Sequence, residues 1–156
     1  MREIKAWCDG GCRGNGKETN VGGYGVYMQY IVDGKLIAEK EMKGGAFNTT
    51  NNIMELTGAV QLMKAIKDKN MKTTIYLDSQ YVKNGLESWL NSWKKNNWKT
   101  SQKKPVKNKE IWMELDRLKN EFRNLNFCWV KGHADDENNN KVDLLANEYM
   151  DELEKT

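Results

Sequence analysis

The sequence predicts a mixed α/β fold, in which an antiparallel meander of three strands is followed by parallel strands added through right-handed helical crossovers. Two observations carry this prediction. The opening third holds three strand-like runs separated by turn residues, and the remainder alternates helix-period segments with short apolar runs. A third observation bounds it: 156 residues with 38% hydrophobic content can build one self-sufficient core and are too few for two, so a single domain over 1–156 is expected.

Strands are expected near residues 2–9, 21–31 and 35–46, divided by the glycine-rich "DGGCRGNGKETNVGG" and by "VDGK", whose Asp33-Gly34 suits a two-residue hairpin. From Asn52 to about Lys69, Leu56, Ala59, Val60, Met63 and Ile66 recur at helical spacing, with Thr50 or Asn51 as N-cap. The strand "TTIYLD" leads into "SQYVKNGLESWLNSWKK", a helix or helix pair with a break expected at Gly85. The helix "NKEIWMELDRLKNEF", a strand "FCWVKG" and a last helix from about Lys141 to Glu154 complete the chain.

Composition excludes several classes. The N-terminus enters alternating residues with no apolar leader, and no run approaches the roughly 20 apolar residues that span a bilayer, so a soluble cytoplasmic protein without a membrane role is expected. Cys8, Cys12 and Cys128 are odd in number and lack paired C-x-x-C spacing, which reads as three buried or half-buried thiols in a reducing compartment rather than a zinc site. The net charge is only +3, but positive charge is concentrated. "KKNNWKTSQKKPVKNK", from Lys94 to Lys109, holds seven lysines and no acid, with Trp98 inside it. A lysine run is usually a solvated face; interleaved with an aromatic and punctuated by Pro105, this one reads as a basic protrusion that neutralises backbone phosphates. Trp89, Trp93 and Trp112 follow helical core spacing and are assigned to packing.

Four acids stand out. Alternation in the first strand places Asp9 at its carboxyl end beside Gly10-Gly11, and Asp78 ends "TTIYLD" in the same way. Polar ligands of such sheets bind beyond the carboxyl ends of strands, so both carboxylates belong on one rim. Glu55, placed among apolar residues, lies at the buried edge of the first long helix and can reach that rim. Asp143, in the first turn of the last helix, is the fourth. Singly, each has an ordinary role in a turn, a cap, a helix dipole or an ion pair. Together they would repel one another unless cations neutralise them, and magnesium, which takes carboxylate, water and phosphate oxygens, suits such a set. Two such ions about 4 Å apart suit in-line displacement at phosphorus.

The blocks "AWCDGGCRGN", "GGYGVY", "TTNNIMEL", "LDSQYVKNG", "WKKNNWKTSQKKPVKNKEIW" and "WVKGHADDENNNKVDLLAN" resemble, in order, those of a type 1 ribonuclease H, from about residue 3 to residue 152. The resemblance implies a five-stranded mixed sheet flanked by helices. It also implies an endonuclease that cuts the RNA strand of RNA–DNA hybrids with two Mg²⁺ ions, Mn²⁺ serving as a substitute, and leaves 3′-hydroxyl and 5′-phosphate ends. Asp9, Glu55, Asp78 and Asp143 match the family's metal carboxylates, and His133, the only histidine, matches its mobile catalytic histidine. With an ordinary pKa of about 6.5, such a group can move protons near neutrality. Asn15, Thr50, Asn51, Asn52 and Gln80 fall where the family meets the hybrid's minor groove and a DNA phosphate, Gly10, Gly11 and Gly14 would allow close backbone approach, and the 2′-hydroxyl in the groove distinguishes RNA from DNA. Lys94, Lys95, Trp98 and Lys99 fall in the family's basic protrusion, which grips the DNA strand. The chain departs from the pattern in the long proline-free loop "GNGKETNVGGYG", in Ile53 where an Arg is common, and in "HADDENNNKVD", which lacks a Gly two residues after the His and has Asn140 in place of a Glu. Nothing calls for an obligate oligomer, so a monomer is expected.

Overall fold

Strands β1 (Arg2–Arg13), β2 (Val21–Val32) and β3 (Lys35–Phe47) form an antiparallel meander in the computed structural model, which describes residues 1–14, 19–130 and 136–156. Asp33 and Gly34 make the β2–β3 turn with φ of 49° and 80°, the positive pair that a two-residue hairpin needs. Strands β4 (Lys72–Leu77) and β5 (Leu125–Trp129) add in parallel, giving one five-stranded sheet of order β3-β2-β1-β4-β5. The predicted mixed sheet is therefore present, in the topology of an antiparallel opening and parallel additions.

Helix α1 (Asn51–Ala65) lies on one face, burying Leu56, Ala59, Val60, Leu62 and Met63 against Ala6, Cys8, Val26, Ile75 and Leu77 of the sheet. It stops at Ala65 rather than near Lys69, because Ile66 turns to extended backbone and the Lys69 ammonium donates to the free carbonyls of Met63 and Ile66. Helix α4 (Lys109–Glu121) extends the same core with Trp112, Leu115 and Leu118, and helix α5 (Glu137–Glu154) covers the opposite face. No helix among the described residues is long and apolar enough to cross a membrane.

Gly85 is not a break. Helices α2 (Gln80–Asn84) and α3 (Leu90–Lys95) are joined through a π-helical turn, Gly85–Trp89, with helical backbone throughout. The glycine is there for space, since a Cβ would stand 1.9 Å from the Trp112 ring. Cys128 is also corrected: it is exposed, because β5 is the sheet's outer strand, whereas Cys8 is buried under α1. Trp112 is fully buried as expected, but Trp89, assigned to packing, is 37% exposed and packs on one side only, against Tyr81 and Trp93.

Candidate active site

Strand β1 pairs with β2 as far as Arg13, but β4 leaves β1 after the Cys8–Leu77 pair. A crevice opens there, with Asp9 on one lip and Asp78, the residue after β4, on the other. Asp9 is thus not the end of its strand, as the sequence suggested; the parallel pairing is what ends, while the antiparallel ladder carries the glycines onward. Asp78 is held by its backbone: Trp129 donates its indole N–H to the Asp78 carbonyl at 3.2 Å, and Val130 N donates to the Leu77 carbonyl at 2.7 Å.

Glu55 arrives on α1, whose N-cap is Thr50; the Thr50 hydroxyl accepts from Ile53 N at 3.1 Å, and Asn51 is the first helical residue. The helix start rests directly on β1. A Cβ on Gly10 would lie 2.4 Å from the Met54 carbonyl carbon and 2.6 Å from Glu55 N, so the backbone that Gly10 admits here is that of α1. Asp143 arrives on α5, which begins at Glu137 and not near Lys141, so Asp143 lies in its second turn. The Asn138–Asn140 run has poor helix propensity, but Asp136 caps it by accepting from Asn138 N and Asn139 N at 2.9 Å each.

The carboxylates face one another. Asp9 is pushed up to about 9 by burial first and by Asp78 second, with Asp143 adding to it and the Gly10 N–H, 2.8 Å away, opposing. Burial and then Asp78 also raise Glu55, against a hydrogen bond from Ser79. The buried Cys8 thiol beneath them is driven far up by burial and then by Asp9, Asp78 and Glu55 in turn. Asp9 within β1, Asp78 just past β4, Glu55 on α1 and Asp143 on α5 are therefore linked electrostatically.

This donor set fits a hard divalent cation: it is all oxygen, and a bound cation would offset the burial and the neighbouring charge that push Asp9 and Glu55 up. Among the described residues no three such side chains already close into a ligating cage.

Of the other predicted site residues, Thr50 and Asn52 are half-buried and Asn51 and Gln80 exposed near the start of α1 and α2. A Cβ on Gly11 would come no nearer than 3.8 Å, to Met150 Cε, and Gly14 has a φ of 74°. Asn15 and His133 lie outside the described residues. In the basic segment, Lys94 pairs with Asp116 of α4 at 3.2 Å. Asn97 and Trp98 turn the chain with positive φ, and Lys99 bridges Pro105 around an exposed tip carrying Lys103 and Lys104. Trp98 is partly buried against Trp93, 6.4 Å between ring centres, so its base is packed and its lysine neighbours are free to reach outward. The residue that sequence reasoning missed is Asn139. It is fully buried, its amide donates to Asp78 Oδ2 at 3.5 Å, and its only signal in the sequence was its place one turn before Asp143.

Strand order, helix placement and acidic rim together define a ribonuclease H-like α/β domain. The family model for RNase H matches residues 1–151. The chain is 48% identical over 153 residues to a ribonuclease H of Hydrogenovibrio crunogenus, covering 98% of this chain and 99% of that protein. A ribonuclease H of Clostridium botulinum is 46% identical over 154 residues, with 98% and 99% covered. A crystal structure of a type 1 RNase H with the type 2 active-site motif superposes with a TM-score of 0.84 at 27% identity, over 96% of this chain and 72% of that one. This chain belongs to the RNase H family.

Proposed function

We propose that the protein is an endonuclease that hydrolyses the RNA strand of RNA–DNA hybrids. The observation that carries this reading is the convergence of Asp9, Glu55, Asp78 and Asp143 on one rim of a ribonuclease H fold. These four would hold two magnesium ions, or manganese in their place. When bound, such ions neutralise the carboxylates and polarise the scissile phosphate. A water oxygen forms the new bond to phosphorus and the bond from phosphorus to the ribose 3′ oxygen breaks, which leaves a 3′-hydroxyl and a 5′-phosphate. His133 serves as an auxiliary group that moves protons near neutral pH.

Binding divides between two surfaces. Thr50, Asn51, Asn52 and Gln80, near Glu55 and Asp78 in sequence, would read the 2′-hydroxyl with short polar side chains, and Asn15 is assigned the same role by its sequence block. Lys95 and Lys99, with Lys94 and Trp98 at the base, form a basic protrusion for the phosphates of the DNA strand. The protein acts as a monomer in this reading.

The test is cleavage of matched labelled RNA–DNA hybrid, double-stranded RNA and double-stranded DNA with Mg²⁺. The expected result is that only the hybrid's RNA strand is cut. Tight hybrid binding without cutting, with Mn²⁺ also supplied, would overturn the enzyme and leave a binding module.

A further inference from the structure

We propose that Asp136 is a positioning residue that sets how close helix α5 sits to the two acid-bearing strands; the proposal rests on the hydrolase reading above. Asp136 is engaged from two directions. Its Oδ1 accepts from Asn138 N and Asn139 N at 2.9 Å each, which caps α5. Its Oδ2 accepts from the Trp7 indole Nε1 at 3.4 Å, across a sequence separation of 129 residues. One carboxylate thereby joins the helix that carries Asp143 to the strand that carries Asp9.

The anchor at the other end is stiff. Trp7 and Tyr76 are paired across β1 and β4, and their rings stack with centres 4.6 Å apart and planes at 9°. Trp7 shares a sheet face with Asp9, two residues on, and Tyr76 stands two residues before Asp78. What the tether delivers lies in the next turn and a half of α5. Asn139 is fully buried with its amide on Asp78 Oδ2, and its own Oδ1 has no partner among the described residues, so the side chain is held in place from elsewhere. One turn further along α5 comes Asp143, whose charge acts on Asp9. Without the tether the first turn of α5 is free to drift from β1, and cation affinity falls although every ligand remains.

Cap and tether can be separated. Asp136→Asn keeps one oxygen for the cap and places an amide NH₂ where an acceptor faced the indole, while Trp7→Phe removes the donor and keeps an aromatic ring for the stack. The experiment is calorimetric Mg²⁺ titration of the full chain as parent, Asp136→Asn, Trp7→Phe and the double variant, with thermal melts of each and hybrid cleavage by the parent. Each single variant is expected to bind Mg²⁺ about 3- to 10-fold more weakly, and the double variant no more weakly than the weaker single one. Trp7→Phe changes no charge, so its loss cannot come from removing an acid; it also decides the matter alone if Asp136→Asn fails to fold. A folded Trp7→Phe that binds Mg²⁺ like a cleaving parent, or single losses that multiply in the double variant, would overturn the positioning role alone. A parent that neither binds Mg²⁺ nor cuts hybrid would overturn the hydrolase reading and this role with it.

Discussion

Asp9 shows at the scale of one residue what the acidic rim does to the fold. Burial, and then Asp78, lift its carboxyl from 3.8 to about 9 when no cation is bound. Below about pH 3.8 the folded and unfolded chains both carry that proton. As pH rises toward 9, the unfolded chain releases the proton and the fold must keep it, so stability is lost progressively across that window. Asp9→Asn removes the conflict. In urea denaturation with a chelator present, the variant should be more stable than the parent at pH 8 by about 1–3 kcal/mol, and the gap should close toward pH 4. Added Mg²⁺ should stabilise the parent and leave the variant unmoved. For His133 the expectation is of another kind: His133→Ala should slow turnover about 10-fold or more and leave Mg²⁺ affinity intact. A variant that cleaves hybrid at the parent rate would remove His133 from the mechanism.

At the scale of elements, the acids meet because strand and helix backbones come unusually close. Gly10→Ala would push a methyl group into the Met54–Glu55 backbone. It should destabilise the fold by about 1–3 kcal/mol and reduce cleavage further than its stability loss accounts for, because Glu55 moves with the helix. Calorimetry and initial rates on the same preparation separate the two effects. The elements also show what the sequence could carry. Glu55 could be singled out because it breaks an apolar helical pattern, and the Asp33-Gly34 turn was legible because its chemistry is local. The start of α5 was not, since a run of three asparagines reads against helix and only the Asp136 cap, tied to Trp7 far away in sequence, overrides it. Gly85 read as a breaker for a similar reason: the tryptophan ring that requires a glycine there lies on another helix. Cys128 read as buried from its apolar neighbours, but whether a strand lies at the sheet's margin is settled by topology rather than by local pattern.

At the scale of the whole molecule, the acidic crevice and the basic tip stand on separate elements. The acids gather at the crevice between β1 and β4, while the lysines of the 99–105 tip stand out beyond α3. Replacing Lys95, Lys99 and Lys103 together with Ala should weaken hybrid binding and lower the slope of log affinity against log salt by roughly one for each phosphate no longer neutralised. An unchanged slope would contradict the protrusion's role. Lys94→Ala should change the slope less, because that ammonium already pairs with Asp116. The most direct test of the acidic rim as one cation site is single-turnover cleavage of labelled RNA–DNA hybrid by Asp9→Asn, Glu55→Gln, Asp78→Asn and Asp143→Asn, with hybrid affinity measured alongside. Every one of the four should lose at least about 100-fold in cleavage rate while hybrid binding persists. A variant among them that folds, binds hybrid and cuts at the parent rate would contradict the account.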